Sequence, residues 1–338
     1  MKKNAVNWGI LSTATIARKQ VIPAIHQAEN ANIIAIASES GKASEVAKQF
    51  HIPKTYESYE DLLADPEIDI VYIPLPNGLH SKWVKEAAKH GKHVLCEKPA
   101  ALTTEETKEM IQVCRENNVL FMEALMYQFH PQHKRVKDII DSGEIGEVKL
   151  MRSSFTFQLE ELNGNIRMSK ELGGGSLYDI GCYCIHAIRT ILDREPVRVY
   201  AVEENHPIHH VDMSAVAIME LDNGMKAYFD CGMNMTERNS YEVVGTKGKI
   251  EVPRAFIPRV DGEGVIVITT DNGKRREETI TDYYYKLGVE HLSNCLLTGI
   301  FPIQTPESSI SNMKVLEACF QSIRTGATVE LLQKVGNI

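Results

Sequence analysis

What this chain lacks narrows its possible roles before any motif is read. No apolar run in its 338 residues approaches the ~20 needed to cross a bilayer as a helix, so no membrane role is expected. Positive charge is also short: 37 Lys and Arg against 45 Asp and Glu leave a formal net charge of -8. A face that neutralises phosphates needs clustered cations, so no nucleic acid partner is expected. Lys274-Arg275-Arg276 comes nearest, but Glu277 and Glu278 follow at once, and it reads as a solvated turn. Lys2 and Lys3 are not followed by a leader-like apolar segment, because Ser12, Thr13 and Thr15 interrupt it. The seven cysteines are odd in number and none forms a CxxC pair, which argues against a disulfide framework. Reduced thiols in a cytoplasmic protein are expected. Cys182 and Cys184 have no second Cys/His pair nearby at zinc spacing, so no metal is expected.

What is present is a change of texture along the chain. Over the first ~125 residues, short β-branched strands alternate with helical periodicity, the pattern of βαβ units. Strands are expected at 6–11, 33–37, 70–75, 93–96 and 120–122, and helices at 16–28, 43–50, 81–90 and 104–117. From about residue 148 longer strands follow one another, at 148–157, 197–203, 214–221, 225–233, 241–244 and 264–270. Asp222-Asn223-Gly224 is a hairpin signal between two of them. Two helical patterns, 285–297 and 306–324, close the chain. The fold class expected is α/β: an N-terminal Rossmann doubly wound parallel sheet, then an α+β domain with a large open, mostly antiparallel sheet. The boundary is expected between 1–123 and 124–338, with the C-terminal helix packing back on the first domain.

The first strand runs into Ser12-Thr13-Ala14-Thr15-Ile16-Ala17, where a dinucleotide fold places G-x-G-x-x-G. Ser12, Ala14 and Ala17 stand at the glycine positions. Their small size keeps much of the clearance, the hydroxyls of Ser12 and Thr13 could donate to phosphate, and the helix N-terminus beyond offers N–H groups and a favourable dipole. An ordinary strand–helix turn explains the same residues. The second strand ends near Ser38 and Glu39, where a ribose-binding acid belongs. A carboxylate at Glu39 would bond a 2′-hydroxyl and repel a 2′-phosphate, which leans the choice to NAD. Ser38 with Lys42 could instead serve NADP.

Pro74-Leu75-Pro76-Asn77-Gly78-Leu79-His80 and Cys96-Glu97-Lys98-Pro99 end two strands of the same sheet, at the edge where open α/β sheets gather ligands. Lys98, between a glutamate and a proline, is hard to explain as core. Partial burial would bring its pKa toward a range useful for proton transfer. Further on, Gly173-Gly174-Gly175 enters an apolar helical run, and a close approach of backbone to a ligand is expected there. Asp179, Tyr183 and His186 follow at i, i+4 and i+7 and present a carboxylate, a phenol and an imidazole on one helix face. A polar stripe meeting water accounts for the spacing equally.

Together Glu97-Lys98-Pro99, Pro74-x-x-Asn77-x-x-His80 and GGGSLYDIGCYCIH resemble the glucose–fructose oxidoreductase/inositol dehydrogenase/MocA (Gfo/Idh/MocA) family. Met122 to Tyr127, Phe129-His130-Pro131, Asn165-Ile166-Arg167 and Gly245-Thr246-Lys247-Gly248 extend the likeness over essentially the whole chain. The family's catalytic helix commonly reads D-x-G-x-H-x-x-D. Here Tyr183 replaces the histidine and His186 the second aspartate, which points to the branch of aldose and dihydrodiol dehydrogenases.

That resemblance implies an NAD(P)-dependent dehydrogenase acting on CH–OH groups of a sugar, polyol or diol. Lys98, Tyr183 and Asp179 would be catalytic. The cofactor would be held by Ser12, Thr13, Ala14, Ile16, Ser38, Glu39, Pro74, Leu75, Asn77, His80, Glu97, Lys98 and Arg167, and the substrate by Tyr127, Phe155, Asp179 and His186. A dihydrodiol dehydrogenase or carbonyl/imine reductase on the same scaffold is one alternative, and a non-catalytic NAD(P)-binding regulator is another. Apolar outward positions such as Val216, Ile218 and Tyr228 suggest a homodimer or homotetramer.

Overall fold

The structure, a computed structural model of the chain, describes residues 4–331. The chain divides into two compact units, each described separately below. The first contains six strands, β1 (Val6–Leu11), β2 (Ala31–Ala37), β3 (Lys54–Tyr56), β4 (Ile70–Ile73), β5 (His93–Cys96) and β6 (Phe121–Glu123). Every pairing among them is parallel, in the order β3-β2-β1-β4-β5-β6. Parallel sheets are covered on both faces, which is why β4 is buried at all four positions. The covering helices are α1 (Ile22–Gln27), entered through a π-turn at Ala17–Val21, α2 (Ala43–Phe50), α3 (Tyr59–Ala64), α4 (His80–Lys89) and α5 (Thr104–Glu116). Ser58 caps α3 and Thr103 caps α5, each hydroxyl accepting the N–H three residues on. Strand order reverses between β1 and β4, the switch point at which such sheets bind ligands. The short β3 and α3 were not anticipated: three residues of strand carry no legible alternation.

The second unit is a nine-stranded sheet with helices packed on it. Its elements are α6 (Pro131–Asp141), β7 (Val148–Gln158), a π-turn at Leu177–Gly181 leading into α7 (Cys182–Leu192), β8 (Pro196–Asn205), β9 (Asp212–Leu221), β10 (Lys226–Gly232), β11 (Asn234–Gly245), β12 (Gly248–Val252), β13 (Glu263–Thr270) and β14 (Arg275–Thr281). The order is β14-β13-β12-β11-β7-β10-β9-β8, with β15 (Val329–Glu330) on the outer edge. All its pairs are antiparallel except β7 with β10. The hairpin at Asp222-Asn223-Gly224 forms, with Gly224 at φ 82° and Leu221 N–H bonded to Met225 O at 2.8 Å. Arg275 and Arg276 are not in a turn, as expected from sequence, but begin edge strand β14, where Arg276 pairs with Glu144 and Glu278. The turn lies just before them, at Gly273.

The first unit extends to Phe129 and takes in residues 283–311. This differs from a boundary after residue 123, and the reason is apolar packing. Helix α8 (Tyr284–Thr298) contributes Tyr285, Val289 and Leu292 to the same core cluster as Trp8, Ile25, Met122 and Met126. The indole of Trp8 also donates to Ser293 Oγ at 3.1 Å. Within α9 (Pro306–Thr325), residues up to Ser311 count with the first unit and those from Asn312 with the second.

Candidate active site

In the first unit, the residues expected to hold a cofactor gather at the carboxyl edge of the sheet. Ser12 follows β1 with φ 119°, a left-handed conformation in which a glycine is the usual occupant. Its Oγ accepts the N–H of Ala14 at 3.0 Å and tightens the turn. Ala17 is fully buried, so a small side chain there lets the helix pack closely on the sheet, as the third glycine of the usual motif does. The turn is therefore kept without its glycines, and its shape suits a pyrophosphate at the helix mouth.

Beyond β2, Ser38 is buried with its Oγ 2.9 Å from Ser40 Oγ, while Glu39 is exposed. The carboxylate thus stands one position away from the strand end, where a small hydroxyl sits instead.

Strands β4 and β5 are register neighbours, Ile73 opposite Cys96, so the segments following them emerge side by side. His80 ties these segments together. It is fully buried, with Nδ1 2.8 Å from Pro99 O and Nε2 2.8 Å from Leu75 O. Burial pushes its pKa down to about 4, with the two carbonyl bonds pulling the other way. A neutral ring donates to one of these carbonyls at a time. His80 is thus built into the wall of the site. Glu97 accepts the phenol proton of Tyr72 at 2.6 Å and the N–H of Lys98 at 3.2 Å, and the Lys98–Pro99 peptide is cis. Lys98, Pro76 and Asn77 are half-buried on this edge, with Pro74 and Leu75 buried behind them. Tyr127 is buried in the same unit.

In the second unit the chemistry collects at the start of the helix after the glycine run. Two of these glycines pass close to the protein's own groups. A Cβ on Gly174 would lie 2.8 Å from the carbonyl carbon of Arg167, and one on Gly175 2.9 Å from Asp212 Cγ. Asp212, 3% exposed, accepts Ser176 Oγ–H at 2.7 Å and Leu177 N–H at 2.6 Å, so it caps the helix from a neighbouring strand. Burial raises its pKa to about 6 despite those bonds. Sequence reading missed Asp212. The available signal was a lone carboxylate between Val211 and Met213 at the head of an apolar strand.

Locked by Gly175 N–H to Arg167 O at 3.0 Å, the preceding loop delivers the Arg167 guanidinium to Asp179, Nε to Oδ2 2.6 Å. Asp179 is the main reason the Arg167 pKa is raised, and Tyr183 adds to it, so this cation also favours a negative charge on the phenol. The ring of Tyr183 meets Phe155 edge-on at 5.4 Å between centroids and Phe256 at 5.7 Å. Phe155 and Phe256 stack on each other at 5.0 Å and 14°. Phe256, far along the chain, was also missed.

Because Leu177–Gly181 is a π-turn, the expected i, i+4, i+7 face is not a uniform stripe. Asp179 and Tyr183 are half-buried, whereas His186 is fully buried. Arg167 with Asp179, and Phe155 with Tyr183, are thus in contact at the start of this helix, while His186 is packed inside. Among the described residues, no cluster of three or more His, Cys, Asp or Glu could hold a metal, and no helix is long and apolar enough to cross a membrane.

A doubly wound parallel sheet with a lysine at its carboxyl edge, followed in the chain by a sheet domain that carries a phenol, fits a nicotinamide-dependent oxidoreductase. Residues 6–125 match the model of the oxidoreductase family with NAD-binding Rossmann fold, and residues 133–251 match the GFO/IDH/MocA C-terminal domain. The chain belongs to the Gfo/Idh/MocA oxidoreductase family, whose cofactor is NAD(P). It is 38% identical to D-xylose 1-dehydrogenase (NADP(+)) 2 of Haloferax volcanii over 96% of this chain and 99% of that one. It is 31% identical to trans-1,2-dihydrobenzene-1,2-diol dehydrogenase of Xenopus tropicalis, covering 94% of this chain and 98% of the relative. Among solved structures, it superposes on the aldose-aldose oxidoreductase of Caulobacter crescentus complexed with glycerol with a TM-score of 0.89. That pair is 26% identical over 97% of this chain and all of the other.

Proposed function

We propose that this protein oxidises a CH–OH group of an aldose, or reduces the matching carbonyl, with NADP(H), and that Tyr183 moves the hydroxyl proton. The observation that carries this is the setting of Tyr183: a half-buried phenol whose ring is held by Phe155 and Phe256 and whose charged form is favoured by Arg167. When bound, the nicotinamide supplies the redox chemistry. The chain's own residues bind, orient and move the proton. Family resemblance is what supports Lys98 as the lysine of a Tyr/Lys proton-transfer pair, and Asp179, fixed by Arg167, accepts a hydrogen bond from a neighbouring substrate hydroxyl. Phe155 supplies an apolar wall for the sugar's C–H face, with Tyr127 serving the substrate from the first unit. His186, given to the substrate by the sequence, is fully buried on the same helix.

The nicotinamide is assigned as NADP(H). Glu39 leaned the sequence reading to NAD, but its carboxylate is exposed beyond the strand end, where buried Ser38 presents no charge to a 2′-phosphate and Lys42 follows close by. The name of the Haloferax volcanii relative specifies NADP(+), so the lean to NAD finds no support there. Ser12, Thr13, Ala14 and Ile16 would line the pyrophosphate, and Pro74, Leu75, Asn77, His80 and Glu97 the nicotinamide side of the edge.

A second copy of the chain is the proposed occupant of the open sheet face. Tyr200, Ile218 and Tyr228 form one row across β8, β9 and β10, and Val202 and Val216 lie in the adjacent row. Tyr200, Val202, Val216 and Ile218 are each more than 40% exposed, an apolar patch suited to a two-fold dimer. The seven buried free thiols support a reducing, cytoplasmic setting.

The function is tested with D-xylose, D-glucose and trans-1,2-dihydrobenzene-1,2-diol, each with NAD(+) and NADP(+), on the wild type, Tyr183→Phe and Lys98→Met. Aldose turnover with NADP(+), lost by roughly 10²–10⁴-fold in both variants, is expected. Near-normal turnover in both would remove the assignment. Turnover of the aromatic diol alone would replace the aldose with a diol.

A further inference from the structure

One aromatic wall of Tyr183, Phe256, is held by the amide side chain of a residue that pairs in register with the other wall, Phe155. Asn239 lies on β11, 7% exposed and directly opposite Phe155 of β7 in the sheet register. Opposed residues of an antiparallel pair share a face, so Asn239 projects to the side on which Phe155 packs. Its Oδ1 accepts Phe256 N–H at 2.8 Å and Ile257 N–H at 3.0 Å, and its Nδ2 donates to Ile257 O at 3.0 Å. Its own carbonyl accepts Ala255 N–H at 2.8 Å. Asn239 thus grips three successive residues of the 253–262 loop, with Phe256 in the centre.

The same loop is held on its other flank from α6. Gln132 Nε2 donates to Arg254 O at 3.0 Å, His133 Nε2 lies 2.9 Å from Ala255 O, and His130 Nε2 lies 2.8 Å from Gly262 O. Burial depresses the pKa of His133 to about 3, which keeps it neutral, with Nδ1 free to accept from Tyr241 OH at 2.9 Å. A segment lying between strands is thereby given the rigidity of the sheet. Such investment is unnecessary for an ordinary loop, and Ile257 and Val260 within it remain exposed.

We propose that Asn239 is a positioning residue for proton transfer: it fixes Phe256, and Phe256 with Phe155 fixes the direction of the Tyr183 hydroxyl. The proposal rests on the assignment of Tyr183 as the proton-transfer group. Deleting the grip lets Phe256 swing, and the phenol loses one of its two walls. A displacement near 1 Å at a reacting group costs up to about 10²-fold in rate.

The test uses the full-length protein and the fastest aldose of the panel above. Asn239→Leu removes all three side-chain bonds at similar volume. It is expected to lower kcat about 10- to 100-fold, to leave the directly measured NADP(+) affinity unchanged, to move the limb of the kcat–pH profile toward alkaline pH, and to enlarge the solvent deuterium isotope effect. Phe256→Leu is expected to reproduce these changes, and the double variant to be no slower than the slower single one. Asn239→Asp, which keeps both acceptor bonds, is expected to retain most of the rate. An unmoved pH profile, a loss confined to KM, or losses that multiply in the double variant would overturn the proposal. If Asn239→Leu does not fold, Asn239→Ala, which removes the same three bonds, is judged by the same criteria, alone and combined with Phe256→Leu. Inactive Tyr183→Phe beside unimpaired Asn239→Leu overturns this proposal alone, whereas fully active Tyr183→Phe removes the Tyr183 assignment beneath it.

Discussion

Gly175→Ala should be among the most damaging small substitutions in the chain. The residue sits at φ 106°, where a side chain costs on the order of 1–3 kcal/mol. The added Cβ would lie 2.9 Å from Asp212 Cγ and nearer still to its Oδ1, so the carboxylate must move. Moving it breaks the bonds from Ser176 Oγ and Leu177 N, two buried donors at the head of the Tyr183 helix. Hydrogen bonds to a charged group contribute about 1.5–3 kcal/mol each. Allowing for partial relaxation, a loss of about 4 kcal/mol is expected, a large share of the ~5–15 kcal/mol that holds a domain. By calorimetry this amounts to roughly 8–16 °C in the melting of the second unit. Gly164→Ala is the control: its φ is 72°, but nothing lies within 4 Å of the added methyl, so it should lose only about 1 kcal/mol. If Gly175→Ala melted no lower than Gly164→Ala, the carboxylate would not be fixed as described.

Other outcomes follow from the same groups. Asp212 has a folded pKa of about 6 against an ordinary value of 3.8, burial being the main cause. The folded state therefore holds this proton more tightly, and the stability so gained is present below about pH 4 and lost as pH rises through 6. Asp212→Asn should gain on the wild type by up to about 3 kcal/mol between pH 4 and pH 7, measured by urea titration at several pH values; a flat difference would contradict it. Ser38→Asp should turn the nicotinamide preference from NADP(+) toward NAD(+) by roughly 10²-fold in kcat/KM, since a carboxylate near a 2′-phosphate is worth a few kcal/mol. A variant that kept its NADP(+) preference would locate the 2′-phosphate elsewhere. Ile218→Arg with Val216→Arg should yield folded monomers by light scattering and circular dichroism, because both side chains face solvent in the isolated chain; an unaltered mass would leave this face without its proposed partner.

Local chemistry was legible where a residue's neighbours in sequence are also its neighbours in space. The βα alternation gave the parallel sheet, the Asp-Asn-Gly turn gave its hairpin, and the Cys96–Pro99 segment lay at a strand end as its flanking pattern implied. Strand β14 was not legible, because its residues Arg275–Thr281 carry little apolar alternation and their strand form comes from pairing with β13. Asp212, Asn239 and Phe256 escaped for a related reason. Each is unremarkable among its own neighbours and acquires its role from a partner tens of residues away. The glycine run was legible, but not what crowds it, since Arg167 and Asp212 come from outside the run.

The return of α8 to the first unit sets a schedule for synthesis. When the ribosome has released residues up to Phe129, the surface around Trp8, Ile25, Met122 and Met126 still awaits Tyr285, Val289 and Leu292. At ~5–20 residues per second, the roughly 150 residues between them take on the order of ten to thirty seconds to make. Throughout that interval the nascent dinucleotide domain carries an uncovered apolar face. A chain that stalls or is truncated before α8 would present that face to chaperones and proteases, and the N-terminal unit expressed alone would be insoluble, though its whole parallel sheet is present.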